Sequence, residues 1–446
     1  MKEQMKSSGI DWIGNIPLDW NAKKVKYVIS DIKDGTHGTF DRVESGELLL
    51  SAKNVFDDGI RIGENESEIS ILDYKSIISN GFPKRNDVLL CCVGTIGRCC
   101  VYEYDQSIAF QRSVAFLRPL QQTNARYLKY ALQSDSTLIQ EQFLINKSAQ
   151  DGLYMGSVRE LIIPYPNSKS EQQAIADFLD KECAQIDSIA ADLEKQIALL
   201  QQYKKSLITE TVTKGLDKSV PMKDSGVEWL GKIPAHWDFK RLKFMLESSS
   251  DSMKVGPFGS ALSGSDFTDE GKWVYNQRVV LDNNFSENTT FVSEEKFQEM
   301  RSFAVYPGDI LITTRGTIGK VAIVPEGANE GILHPCIIKF RVDKEMIIPE
   351  LLQLIFNESD FVKDQFTLMS NATTIEVIYS YSLKDILLPV IPADEQEKIY
   401  AYLSKKCIAI DGIIAEKQKA LATITQHKKS LIYEYVTGKK RVKEVQ

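Results

Sequence analysis

From Leu179 the apolar positions recur in steps of four and three: Leu179, Cys183, Ile186, Ala190, Leu193, Ile197, Leu200, Lys204 and Leu207. The same spacing returns as Leu403, Cys407, Ile410, Ile414, Lys417, Leu421, Ile424, Lys428 and Leu431. A sustained 4–3 period is the seam of a coiled coil, so the pattern predicts two long helices that pack on each other. One face of a globular core helix is the blander reading, which length and duplication disfavour. Capping boxes are expected at Ser170 with Gln173 and at Asp394 with Glu397. Pro166 and Pro392 stand before the starts, and Gly215 and Gly438 after the ends. From Ser170 to Thr213 such a helix runs ~65 Å. Lys204 and Lys428 are polar seam positions that either fix register or reach for solvent at the coil ends, and the second is the expectation.

Elsewhere the period is two. "DVLLCCVGTIGRCCVYEY" and "GDILITTRGTIGKVAIVPE" read as paired strands around a glycine turn, and "SVAFLRP" and "CIIKFRV" as further strands. "ARYLKYALQS" and "PELLQLIFNES" read as short helices. These stretches come in ordered pairs. "SGIDWIGNIPLDW" from Ser8 returns as "SGVEWLGKIPAHW" from Ser225, "GTIGR" from Gly94 as "GTIGK" from Gly316, and "EQQAIADFLDKECAQID" from Glu171 as "EQEKIYAYLSKKCIAID" from Glu395. "YKKSLITETVT" from Tyr203 returns as "HKKSLIYEYVT" from His427. One unit of roughly 220 residues has been duplicated, too long for a solenoid repeat, so each copy is a domain with an attached helix. The expected fold class is α+β, with two similar mixed α/β domains and two long helices packed as an antiparallel coiled coil in a pseudo-twofold internal repeat. The expected boundaries are a first domain over 1–167, its helix over 168–215 and a linker over 216–224. The second domain follows over 225–392, its helix over 393–438 and a basic tail over 439–446.

A chain of 446 residues suits two domains, and 43% apolar with 26% charged residues is ordinary for a globular protein. The start "MKEQMKSSGIDWIG" has no apolar signal core, and no run is long enough to span a bilayer, so no membrane and a cytoplasmic location are expected. Seven cysteines speak against a secreted disulfide framework. Four of them (Cys91, Cys92, Cys99, Cys100) cluster around the first glycine turn. Their spacing matches no common zinc pattern, and Thr313, Thr314, Val321 and Ala322 replace them in the second copy. Apolar hairpin positions are the favoured reading, so no metal site is expected. The net charge of −7 sits awkwardly with nucleic-acid binding, although "KKVK" at Lys23–Lys26, "KRLK" at Lys240–Lys243 and "GKKRVK" near the end are local basic runs. Catalytic signatures are missing. "TTRGTIGKV" lacks the earlier glycine and the final Ser or Thr of a P-loop, the four histidines make no close metal pair, and no nucleophile elbow or methyltransferase tetrad is present. No catalytic residues and no cofactor are expected on this chain.

The ordered set of motifs resembles the specificity (S) subunit of type I restriction–modification systems over essentially the whole length. The carrying residues are the paired W(I/L)G-x-IP-x-x-W openings, "DGTHGTF", "GPFGSAL", the two "GTIG(R/K)" turns and the two "EQ…KKSLI" helices. The resemblance implies two target recognition domains, each reading half of a bipartite asymmetric site in double-stranded DNA, held apart by the coil. It also implies two methyltransferase (M) subunits that supply S-adenosylmethionine binding and adenine methylation. Restriction (R) subunits supply ATP- and magnesium-dependent translocation and cleavage. The alternative is a coiled-coil scaffold that joins two proteins without reading DNA, which the acidic charge favours.

Within the DNA reading, the turns Gly94, Thr95, Gly97 with Arg98 and Gly316, Thr317, Gly319 with Lys320 are candidates for backbone approach to a phosphate, or else ordinary hairpin turns. Base-reading candidates are Lys33, Thr36, His37 and Lys53 in the first copy, and Ser260, Asn276, Gln277, Arg278 and Arg315 in the second. All are polar hydrogen-bonding types in glycine-punctuated stretches.

Overall fold

A computed structural model of the chain describes residues 4–145, 152–249, 251–258, 261–370 and 377–442. Two compact units emerge: Met1–Glu194 with Lys419–Gln446, and Lys195–Gln418. The division cuts both long helices, Lys169–Lys214 and Ala393–Val436. Each unit is therefore a mixed α/β domain that holds half of each helix, and the C-terminal tail belongs with the N-terminal domain.

Each domain is built on its own four-stranded central sheet, of the same topology in both. In the first unit the strand order is Cys99–Val101, Val88–Cys91, Val114–Pro119, Ile29–Asp34, all antiparallel. In the second it is Val321–Ile323, Ile310–Thr313, Ile337–Phe340, Met253–Val255, the same topology again. The glycine turns close the same way in both. Gly97 donates to the Cys91 carbonyl at 3.0 Å and Gly319 to the Thr313 carbonyl at 2.8 Å. What surrounds this sheet has diverged. The second sheet has three strands in the first unit and five in the second, although both keep a parallel pair, Ala109–Phe110 on Glu47–Leu50 and Gly331–Leu333 on Lys272–Tyr275.

The cysteine cluster is a hairpin. Alternation along the strands sends Cys92 and Cys99 into one apolar core and Cys91 and Cys100 into another. Burial pushes all four thiols up, Cys91 to about 11 and Cys100 to about 12, so they are neutral packing groups. Among the described residues no group of three or more His, Cys, Asp or Glu is placed to hold a metal ion.

Both long helices form, and the 4–3 positions make up their less exposed stripe. Leu179, Cys183, Leu403, Cys407, Ile410, Ile414 and Leu431 are buried; Ile186, Ala190, Leu193, Ile197, Leu200, Leu207, Leu421 and Ile424 are half-buried. Pairings within each unit run antiparallel. In the first, the Phe178 and Tyr435 rings lie 4.3 Å apart and Lys428 Nζ is 2.7 Å from Asp187. In the second, Lys417 reaches Gln196 at 2.6 Å and Lys204 reaches Asp411 at 2.8 Å. The two seam lysines do not reach for solvent as expected from their places near the coil ends. Each is drawn across the seam by an aspartate, Asp187 or Asp411, that the duplication also repeats, and Glu358 adds a second carboxylate 2.7 Å from Lys204. Burial works against the Lys204 charge, but the two acids outweigh it and raise its pKa. These pairs are register devices.

The capping boxes also differ from expectation. The first long helix starts at Lys169, where the Ser168 hydroxyl accepts from the Glu171 amide at 3.4 Å and Ser170 bonds Ser168. In the second, the Pro392 carbonyl takes the Glu395 and Gln396 amides, and Asp394 lies inside the helix on Lys398 at 3.0 Å. The acids one residue further on are engaged elsewhere. Trp20 Nε1 donates to Glu171 at 3.1 Å and Trp237 Nε1 to Glu395 at 3.0 Å. Strand pairing puts them there: Trp20–Lys24 lies antiparallel to Ile162–Pro166, with Trp20 opposite Pro166 just before the helix, and Asp238–Arg241 lies likewise on Leu387–Val390.

The next residue completes the joint. Gln172 accepts from the Asn124 amide and donates to the Pro166 carbonyl, both at 2.8 Å. Gln396 accepts from the Ile348 amide at 2.9 Å and donates to the Met346 and Ile391 carbonyls at 2.9 and 2.8 Å. Both tryptophans are fully buried, and the end of the opposite helix closes on each. At Gly438 (φ +70°) a methyl group would lie 2.5 Å from Pro17 and 3.2 Å from the Trp20 ring; at Gly215 (φ +73°) it would lie 3.3 Å from Trp237. Only glycine combines that left-handed backbone with so close an approach.

Removing either tryptophan empties a fully buried site and takes the indole donor away from its glutamate. Trp20→Ala and Trp237→Ala should each cost about 3–5 kcal/mol of unfolding free energy, read by urea unfolding followed by circular dichroism. A loss below about 1 kcal/mol would mean the joint carries little of the fold.

Candidate nucleic-acid interface

Three of the base-reading candidates converge. Lys33, Thr36 and His37 line a cavity of about 310 Å³ beside the end of the strand Ile29–Asp34, with Phe82, Phe110 and Phe116 among its walls. His37 Nε2 lies 2.7 Å from Asp34 Oδ2. The Lys33 ammonium is taken by the Asn80 carbonyl at 2.9 Å. Lys53 stands apart, paired with Glu66 at 2.9 Å, and that hydrogen bond is the main cause holding the Glu66 carboxyl below the usual range.

In the second copy the candidates divide between structure and surface. Asn276 caps the short helix Gln277–Asp282 by accepting from the Arg278 and Val279 amides. Gln277 donates to the Thr317 carbonyl at 3.2 Å and packs under Gly316, bracing the turn. Arg278 is exposed with Asp282 at 3.4 Å, and Arg315 is exposed at the mouth of the second glycine turn. Ser260 lies outside the described residues.

Gly94, Gly97, Gly316 and Gly319 all adopt positive φ. Thr95 and Thr317 are exposed on the two turns. The neighbouring cations face inward. Arg98 donates to the Val55 carbonyl at 3.3 Å and stacks on Phe56 at 4.9 Å, while Lys320 donates to the Asn357 carbonyl at 2.7 Å.

The basic runs are largely matched by acids. Lys24 and Lys26 share Glu160, at 2.5 and 2.7 Å, and Arg241 and Lys243 share Asp385, at 3.2 and 3.0 Å. In the tail, Lys440 pairs with Glu434 and Arg441 with Asp19 and Glu171.

The sequence reading left out two residues of this region. Asp34 sits inside the quoted "DGTHGTF" motif, and its spacing of three from His37 was the available signal. Glu141 gave none, because it reads as one more polar position on the helix Asp135–Leu144. It is 2% exposed, its Oε1 has no hydrogen-bond partner among the described residues, and its Oε2 lies 2.5 Å from where a methyl group on Gly97 would stand. Burial raises its pKa to about 8. The first glycine turn thus rests on a carboxyl group whose burial favours the neutral form, whereas the group nearest to a methyl on Gly319 in the second copy is the apolar Ile378, at 3.7 Å.

Comparison with known proteins identifies the class. The family model described as type I restriction modification DNA specificity domain matches twice, over residues 46–199 and 237–423. The putative type I restriction enzyme MjaX specificity subunit of Methanocaldococcus jannaschii is 24% identical over 445 residues, covering 97% of this chain and 96% of that one. The EcoBI specificity subunit of Escherichia coli is 23% identical over 290 residues, covering 63% and 59%. A solved chain from work described as "Structural basis underlying complex assembly and conformational transition of the type I R-M system" superposes with a TM-score of 0.64 at 12% identity, covering 94% of this chain and 98% of that one. The chain belongs to the type I restriction–modification DNA specificity family, as a non-catalytic specificity subunit. Among the described residues no helix is long and apolar enough to cross a membrane.

Glu141 makes a pH test of this region. A carboxyl whose folded pKa is raised from about 4.5 to about 8 lends stability that is whole below the lower value and lost as pH rises through the upper one. Glu141→Gln should therefore match the parent near pH 4.5 and melt at a higher temperature by pH 8–9. Thermal melts across that range read the difference, and parallel curves would show that Glu141 is ionised in the folded chain.

Proposed function

We propose that the chain reads a bipartite, asymmetric site in double-stranded DNA, one half per domain, and positions two adenine methyltransferase (M) subunits and the restriction (R) subunits on it. The observation that carries this reading is where the two copies agree and where they differ. The four-stranded sheet, the glycine turn and the tryptophan joint are the same in both, while the second sheet and the loops around it have diverged. A shared frame suits two identical partner subunits; divergent loops suit two different base sequences. S-adenosylmethionine, ATP and magnesium are used by the partners, and this chain contributes position alone. M subunits supply part of the phosphate neutralisation that a chain of net charge −7 lacks.

A gel shift with the M subunit, titrated with salt, separates this from a scaffold that never touches DNA. Phosphate contacts make affinity fall steeply with salt, roughly in proportion to the number of phosphates neutralised. Retention of DNA that does not depend on this chain would favour the scaffold. The purified chain alone should neither methylate nor cleave DNA.

In this reading the long helices set the spacer between the half-sites. Deleting one heptad from each, Ala190–Gln196 and Ile414–Ala420, leaves both Lys–Asp pairs in register, because Asp187, Lys204, Asp411 and Lys428 all lie outside the deletions. The helices shorten by about 10 Å, which corresponds to about three base pairs. Methylome sequencing should show the same half-site bases with a spacer shorter by a few base pairs. An active variant with an unchanged spacer would contradict the ruler role.

A further inference from the structure

Asp34 brings to the cavity of the first domain a carboxylate with an open acceptor and a fixed direction. Its Oδ2 is held by His37 Nε2 at 2.7 Å, its Oδ1 has no hydrogen-bond partner among the described residues, and its side chain is 32% exposed. Lys33, the one lysine or arginine among the described residues that line the cavity, is turned onto the Asn80 carbonyl. Acceptor chemistry therefore dominates, over walls that include Phe82, Phe110 and Phe116.

The loop that carries the pair is pinned. The Thr36 amide donates to the Phe110 carbonyl at 2.8 Å and the Thr36 carbonyl accepts from the Arg112 amide at 2.9 Å. A methyl group on Gly35 would fall 2.1 Å from the Phe110 carbonyl oxygen, so that backbone approach is built in. The second copy keeps the glycine's hydrogen bond and close approach but not the Thr36 bonds, since Pro257 stands at that place without an amide to donate, and it changes the chemistry. Gly256 donates to the Ile337 carbonyl as Gly35 donates to that of Val114, and a methyl group on Gly256 would meet the His334 carbonyl oxygen at 2.2 Å. Yet Val255 stands where Asp34 stands, and Phe258, 86% exposed, stands where His37 stands. One scaffold presents two different side-chain sets at the same loop, as two different half-sites require.

We propose that Asp34, held in place by His37, reads an exocyclic amino group in the major groove, that of adenine or cytosine, at one position of the first domain's half-site. A carboxylate accepts from the adenine N6 or cytosine N4 amino group. It meets only acceptors on guanine O6 and N7 and on thymine O4, so it selects by repulsion as well as attraction. The proposal rests on the chain reading DNA sequence, and its test separates the two ideas.

The full chain is co-expressed with its methyltransferase subunit in a host without other adenine methylation, and methylated sites are mapped by single-molecule sequencing. The wild-type complex gives a bipartite motif, and in Asp34→Asn and Asp34→Ala one position of one half-site relaxes. Discrimination there falls about ten- to a hundredfold, while the other half-site and the spacer stay as they were. His37→Ala, at an exposed side chain that leaves the strand intact, relaxes the same position more weakly. An unchanged motif, or methylation weakened equally at every position, overturns the assignment of Asp34. A wild-type complex that methylates without any sequence motif counts instead against the reading of the chain as a DNA specificity subunit.

Discussion

Each copy of the repeat depends on one buried tryptophan. Trp20 and Trp237 meet three pieces of chain at once: a glutamate at the start of one long helix, the glycine that ends the other, and the strand pair leading into the first. The indole N–H has a charged acceptor, a hydrogen bond worth more than a neutral one, and the ring is fully out of water. Without this joint a half-buried two-helix seam would have to orient itself. With it, the start of one long helix and the end of the other are fixed against the same domain, and the Lys–Asp pairs across the seam choose the register. The opening motif is written twice because a joint of this kind is needed once in each unit.

From that constraint follows a division of labour. The sheet, turn and joint have little freedom to change, since Gly215 and Gly438 leave no room for a side chain and Gln172 and Gln396 saturate backbone groups that would otherwise be buried unpaired. The loops carried by the sheet are under no such restraint. Asp34 and His37 in one copy and Val255 and Phe258 in the other flank equivalent glycines, Gly35 and Gly256, whose amides make the same bond to the central sheet. Side chains can change there without disturbing the frame, as the proposed reading of two different half-sites requires.

Much of this was legible in the sequence, for physical reasons. The 4–3 seam was visible because a long two-helix contact must repeat its apolar positions with the period of the seam. The hairpins were visible because left-handed glycines mark a turn independently of context. The tryptophan joint was not read, since its hydrogen bond links residues 151 apart, although the paired recurrence of the tryptophans with the "EQ" dyads was a usable trace. The capping boxes failed because the local rule competes with that same bond: the spacing of Ser170 to Gln173 fits a box, but Ser168 caps the helix two residues earlier and Glu171 is engaged by Trp20. Of the base-reading candidates, residue type alone did not separate the structural ones, Asn276 and Gln277, from those that line a cavity, Thr36 and His37. Nor did it raise Asp34, whose importance lies in the oxygen that His37 leaves free.

The most direct measurement of the joint is hydrogen exchange on the full chain carrying Glu171→Ala. If Trp20, the start of the first long helix and the end of the second form one cooperative unit, amides across residues 12–20, 169–176 and 431–438 should lose protection together and by a similar factor. Matching changes are then expected around Trp237 for Glu395→Ala. Faster exchange confined to the first turn after Ser168, with the opening motif and the distant helix end unchanged, would contradict the account.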